Sequence, residues 1–207
     1  MTSLQTLGFV LGASFASGLN LYATIATLGL LHRFSIIQLP PGLELMANPI
    51  VLGIAITMYV IEFAADKIPY VDNAWDLVHT FIRPPAAALL AYSSLGGVSE
   101  QWRLAAALIA GGVALTSHGT KATTRAAVNA SPELVSNSVL SVSEDGIAIF
   151  LAWMAATHPF VTLFIVLALL AAAVYVMVKL FSLLGHGWRR IFHRRTALVP
   201  PSSQITT

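Results

Sequence analysis

Residues 62–83 read EFAADKIPYVDNAWDLVHTFIR and lie between two apolar segments. In a chain that is 57% hydrophobic and 10% charged, this is where charge is concentrated. Asp72, Asp76, His79 and Arg83 fall at i, i+4, i+7 and i+11, a spacing that stacks all four on one face of a helix. Ala74, Trp75, Leu77, Val78, Phe81 and Ile82 fill the rest of that surface. Upstream, Glu62 and Asp66 form a second i, i+4 acidic pair, and Glu62 still belongs to the apolar run that precedes it. A carboxylate inside an apolar run is expensive to desolvate, so it pairs, faces water or titrates. The stretch is therefore read as the working site.

Outward from it the chain is greasy. The mean hydropathy is +0.78, and the charged fraction is far below the roughly 25% of a soluble domain. Crossing a hydrocarbon core takes about 20 apolar residues as helix, and apolar runs occur at 7–31, 50–65, 86–98, 103–117, 147–157 and 160–184. The expected fold is all-α: a polytopic membrane protein of about six transmembrane helices, with two polar helical segments that dip into the bilayer or lie at its surface. Residues 1–195 form one transmembrane domain on this reading, and residues 196–207 a disordered tail, since LVPPSS offers neither period nor apolar face. There is no cysteine, which excludes disulfides, thiolate catalysis and thiolate metal sites. No Walker loop, dinucleotide-binding glycine pattern, zinc-protease motif or nucleophile elbow occurs.

The first apolar run has no Lys or Arg before it, unlike a cleaved signal peptide, and is read as a retained helix. Gly8 and Gly12 make a small-xxx-small pair suited to close helix packing. Ser17, Asn20, Thr24 and Thr27 draw a polar stripe, and Ser17-Gly18-Leu19-Asn20 is a place for the helix to break. An amide at that depth needs a partner, so Asn20 faces another helix or a wet cavity. Pro84-Pro85 open a kink or a fresh helix. A second polar region runs from His118 to Asp145 and carries Lys121, Arg125, Asn129, Glu133, Asn137 and Glu144; the helix containing 147–157 is expected to begin earlier, near Pro132.

Arg189, Arg190, Arg194 and Arg195, with His186 and His193, follow the last apolar run. They fit the cytoplasmic flank of a terminal span first, contact with anionic lipid second and nucleic acid last. With about six crossings, both termini and both polar regions fall on the cytoplasmic side, and Arg33 and Arg103 on the other. Setting Asp72 against Glu133 also matches Asp76 with Asn137, Arg83 with Glu144, and the run from Ala86 with that from Ile147. This suggests repeat halves around 50–98 and 104–157, an arrangement familiar in transporters.

Three chemistries suit these residues. In the first, the chain is a transporter or exchanger whose Glu62, Asp66, Asp72, Asp76 and His79 bind a cation or proton. In the second it is a membrane-embedded enzyme acting on a lipid head group, with the acids holding a metal and Arg83, Lys121 and Arg125 contacting phosphate. In the third it is a structural or assembly factor. Asp72, Asp76 and His79 are hard or borderline ligands, so a divalent cation fits the first two readings. Arg83 on the same face fits a salt-bridge ladder instead. Nothing in the chain fixes an oligomeric state.

SGLNLYATIATLGLLHR at 17–33, EFAADKIPYVDNAWDLVHTFIRP at 62–84 and TRAAVNASPELVSNSVLSVSEDG at 124–146 together resemble a family of bacterial inner-membrane proteins known only as a domain of unknown function. The resemblance covers nearly the whole chain apart from the basic tail and implies an inner-membrane location, with no activity attached. Glu62 to Lys67 is also similar to the Glu-x-Gly-Asp-Lys/Arg-Ser/Thr signature of cation/proton exchangers, whose acids bind the ion. Here the spacing is one residue longer, the glycine is absent and Ile68 stands in the hydroxyl position.

Overall fold

A computed structural model describes residues 2–68, 70–129 and 134–196, with side chains through Lys179 except at Leu134. Among these residues the fold is all-α. The helices are α1 (Ser3–Leu19), α2 (Leu21–Arg33), α3 (Pro49–Ala65), α4 (Val71–His79), α5 (Arg83–Ser94), α6 (Glu100–Asn129), α7 (Leu134–Thr157) and α8 (Pro159–Thr196), with a 3-10 helix at Pro41–Ala47 before α3. The tail expected to be disordered lies outside the described residues beyond Thr196, which itself ends α8.

The axis of the molecule is α1. Every residue from Gly8 to Leu19 is buried, and α1 packs against α5, α6, α7 and α8. Its glycines permit this. A Cβ at Gly8 would strike the Pro159 carbonyl, one at Gly12 would strike Thr162 and Ala155, and one at Gly18 would strike Ser117 and the Ala114 carbonyl. The small-residue pattern is thus used as a packing surface. The apolar core gathers around it from Phe9, Phe15, Leu28, Leu90, Leu151 and Val166.

The first apolar run breaks where its sequence allowed. Asn20 is extended, at φ −149° and ψ 105°, and serves both helices: its N–H donates to the Ala16 carbonyl at the end of α1, and its side-chain oxygen accepts from Ala23 N–H at the start of α2. After α3 the chain reverses through Tyr70, whose φ of 71° is left-handed and uncommon for a bulky residue. Pro84 and Pro85 sit in the first turn of α5, where missing N–H groups cost nothing.

The second polar region is the continuation of α6 to Asn129, followed by α7 from Leu134, so the helix holding 147–157 does begin early. The expected repeat pairs two unlike segments in this respect: the first copy is divided between α4 and α5, whereas α7 is continuous. Among the described residues two helices, at Val135–Thr157 and Pro159–Lys179, are long and apolar enough to cross a membrane, and a third span results if Pro41–Ala47 and Pro49–Ala65, bent by 66°, are taken together. The outer surface is rich in large apolar side chains, among them Ile50, Ile54, Leu89, Leu108 and Phe164, all more than half exposed.

Candidate functional site

Helix α4 is inside out by the standards of a soluble protein. Its polar face, Asp72, Asp76 and His79, is buried, while Leu77 and Phe81 beyond it are exposed at 66% and 76%. The face points at α6, whose His118, Lys121, Arg125 and Asn129 recur at three- and four-residue spacing and are all buried. Helix α3 adds Glu62 and Asp66 from its C-terminal end, and α7 adds Asn137, Ser141, Glu144 and Asp145. The broken α1–α2 pair closes the site with Asn20.

Arg83 is fully buried and reaches three elements. Its guanidinium forms a close ion pair with Glu62, donates to the Gly18 carbonyl at 2.9 Å and donates to His118 Nδ1 at 2.8 Å. That last contact fixes the imidazole. A guanidinium only donates, so Nδ1 must accept and the proton sits on Nε2, which donates to the Asp76 carbonyl at 3.0 Å. Thr80 Oγ1 completes the knot 2.9 Å from both His118 Nε2 and the Asp76 carbonyl.

Lys121 and Arg125 hold the acids of α3 and α7. The Lys121 ammonium lies 2.8 Å from Asp66 Oδ2 and 3.4 Å from Glu62 Oε1, and donates to the Leu19 carbonyl at 3.3 Å. Arg125 donates from Nε and Nη2 to Glu144 Oε2, from Nη1 to the Asp66 carbonyl at 2.7 Å, and from Nη2 to Asp66 Oδ2 at 3.2 Å. Asp72 is saturated: Asn129 donates to both its oxygens, Asn137 to one at 3.3 Å, and Arg125 lies 3.6 Å away. Asn20 donates to Asp145 Oδ1 at 2.8 Å, which ties the helix break to α7. His79 sits apart from the ion pairs, with Nδ1 2.9 Å from the Trp75 carbonyl, Nε2 3.1 Å from the Tyr22 hydroxyl, and its ring stacked on Trp75.

The residues singled out from the sequence are thus brought together in one buried region: Glu62, Asp66, Asp72, Asp76, Arg83, His118, Lys121, Arg125, Asn129, Asn137 and Glu144 are linked by ion pairs and hydrogen bonds, while Asn20 and Asp145 pair with each other and His79 bonds Tyr22. Glu133 lies outside the described residues. Among the described residues no three His, Asp or Glu side chains converge as a metal cage; the suggested trio is parted because Asp72 turns to Asn129, His79 to Tyr22, and Asp76 to Arg83 and Lys121, each 3.9 Å away. Tyr22, Thr80 and Ser141 belong to the site and were not selected. Ser141 had a readable signal, since it falls four residues after Asn137 and four before Asp145.

Among the described residues six carboxylates, Glu62, Asp66, Asp72, Asp76, Glu144 and Asp145, are buried with three cations, Arg83, Lys121 and Arg125. Glu62 Oε2, Asp66 Oδ1, Asp145 Oδ2 and both oxygens of Asp76 are buried without a hydrogen-bond partner. Five of the six acids lie within 4.0 Å of at least one of these cations, which they share, and Asp145 is held by Asn20 instead.

No curated protein and no solved structure matches the chain. The family described as Domain of unknown function (DUF4126) matches residues 7–179, which takes in every helix of this site, and the chain belongs to that family.

Proposed function

We propose that the chain is a small membrane transporter or exchanger whose buried acidic cluster binds a cation or proton during each cycle. The observation that carries this reading is the surplus of buried carboxylates over buried cations. Leaving an ionised carboxylate dry and unpaired costs several kcal/mol, so a fold that keeps three acids beyond its own cations uses them to take up positive charge. Burial favours this over chemistry on a lipid head group, which needs the acids open to the lipid.

The path crosses the membrane about six times. The broken α1–α2 pair counts as one span, the bent 3-10 helix and α3 as the second, α5 with α4 at its inner end as the third, and α6, α7 and α8 as the rest. Both termini are cytoplasmic, in the inner membrane of a bacterium. The exposed apolar side chains of α3, α6 and α8 face lipid, and the apolar face of α4 sits at the inner boundary. The end of α1, broken beside Arg83 and Lys121, matches the discontinuous helices around which transporters build ion sites.

The test is flux. In reconstituted vesicles the wild-type chain carries ions down an imposed pH or cation gradient, and the Asp72→Asn/Asp76→Asn double variant, still helical and monodisperse, does not. Wild-type flux from the double variant removes these carboxylates from the mechanism. Because the chain has no cysteine, single cysteines at positions 33 and 67 test the path, and they are expected to label from opposite sides.

A further inference from the structure

Lys121 Nζ occupies the point on which the cluster converges, 2.8 Å from Asp66, 3.4 Å from Glu62 and 3.9 Å from both Asp76 and Glu144. The place an inorganic cation would take is held by an ammonium tethered to the chain. A second cation lodged there would be repelled by this fixed ammonium at close range, and a divalent ion about twice as strongly. A proton avoids this conflict, because it adds to a carboxylate oxygen rather than to the space between them.

One carboxylate is placed to receive it. Asp76 is 2% exposed and, among the buried acids of the described residues, is the one with neither oxygen hydrogen-bonded. Arg83 and Lys121 lie at ion-pair distance from Oδ1, each 3.9 Å away, but make their hydrogen bonds elsewhere. From α5, Arg83 bonds Glu62, Gly18 and His118; from α6, Lys121 bonds Asp66, Glu62 and Leu19, and Arg125 bonds Asp66 and Glu144. His118 gives its one free nitrogen lone pair to Arg83, so it cannot take a second proton without breaking that contact. Glu62 and Asp66 on α3, and Glu144 on α7, each keep at least one oxygen in an ion pair.

We infer that the coupling ion is the proton and that Asp76 carries it, with Lys121 keeping inorganic cations out of the cluster. This deepens the transport reading and rests on it. The proton binds an Asp76 oxygen from one side of the membrane, neutralises an acid that has no donor of its own, and leaves to the other side when the helices around Asn20 and Asp145 rearrange.

Infrared difference spectroscopy on the full chain, comparing low and high pH in lipid nanodiscs, reads the carbonyl band of a protonated carboxyl group. A band is expected in the wild type and in Asp72→Asn, lost in Asp76→Asn and displaced in frequency in Asp76→Glu. Sodium, potassium and magnesium should leave it unchanged. The inference is overturned if the band survives unaltered in both Asp76 variants, if no band forms at all, or if any of these cations abolishes it; should Asp76→Asn fail to fold, the Asp76→Glu displacement alone decides. A wild-type band with no flux in vesicles sinks transport and leaves proton binding at Asp76 standing.

Discussion

The two ends of α1 are held by opposite means. Toward its start, Gly8 and Gly12 let Pro159, Ala155 and Thr162 approach so closely that no side chain fits between. Toward its finish, the Gly18 and Leu19 carbonyls are capped by the side chains of Arg83 and Lys121, reaching in from α5 and α6. The first end is fixed by contact and has no spare polar atom to satisfy. The second is fixed by charge and leaves several carboxylate oxygens unbonded. The difference separates a part closed by shape from a part closed by charge.

The strongest blow to the charged end is Arg125→Leu. This variant strips Asp66, Asp72 and Glu144 of a shared partner, and breaking a buried pair in this way costs about 3–5 kcal/mol, read as a fall in unfolding free energy in denaturant. A loss below about 1 kcal/mol would mean that those acids are already neutral. At the packed end, Gly8→Val forces α1 from α8 and is expected to cost about 1–3 kcal/mol, seen as a lowered thermal midpoint. Gly53→Ala is its matched control, since nothing lies within 4 Å of the added carbon.

Smaller effects sharpen the contrast. Asn20→Ala removes the cap of α2 and the donor to Asp145, and should cost about 0.5–2 kcal/mol for the cap, with loss of amide protection in the first turn of α2. The Glu100–Arg103 pair, 3.7 Å apart and partly exposed, is the baseline. Glu100→Gln should move stability by no more than about 0.5 kcal/mol, and added salt should erase even that.

Much of this was legible because helical spacing carries three-dimensional information. The i, i+4, i+7, i+11 run placed Asp72, Asp76, His79 and Arg83 on a common face, and the structure buries all four. Asn20 was readable as a break because an amide in an apolar run demands partners. The partner of Glu62 was only half legible: pairing was among the outcomes expected of it, but Arg83 reaches it from beyond the α4–α5 turn, and Lys121 from α6. Spacing within one helix says nothing of such turns. For the same reason Tyr22 and Thr80 went unnoticed, since each acts through a histidine on another element. The number of membrane crossings was less legible still, because polar residues lower the hydropathy of α6 while its other faces remain apolar.

The burial of α1 on nearly all sides has a consequence for how the chain is made. This helix leaves the ribosome before the surfaces that enclose it on α7 and α8, and Asn20 waits for a partner 125 residues downstream. Until then the Asn20 side-chain amide lacks the acceptor that Asp145 gives it in the fold. A nascent chain cut short before α7 therefore exposes the small-residue face of α1 that native packing hides, a surface open to misassembly.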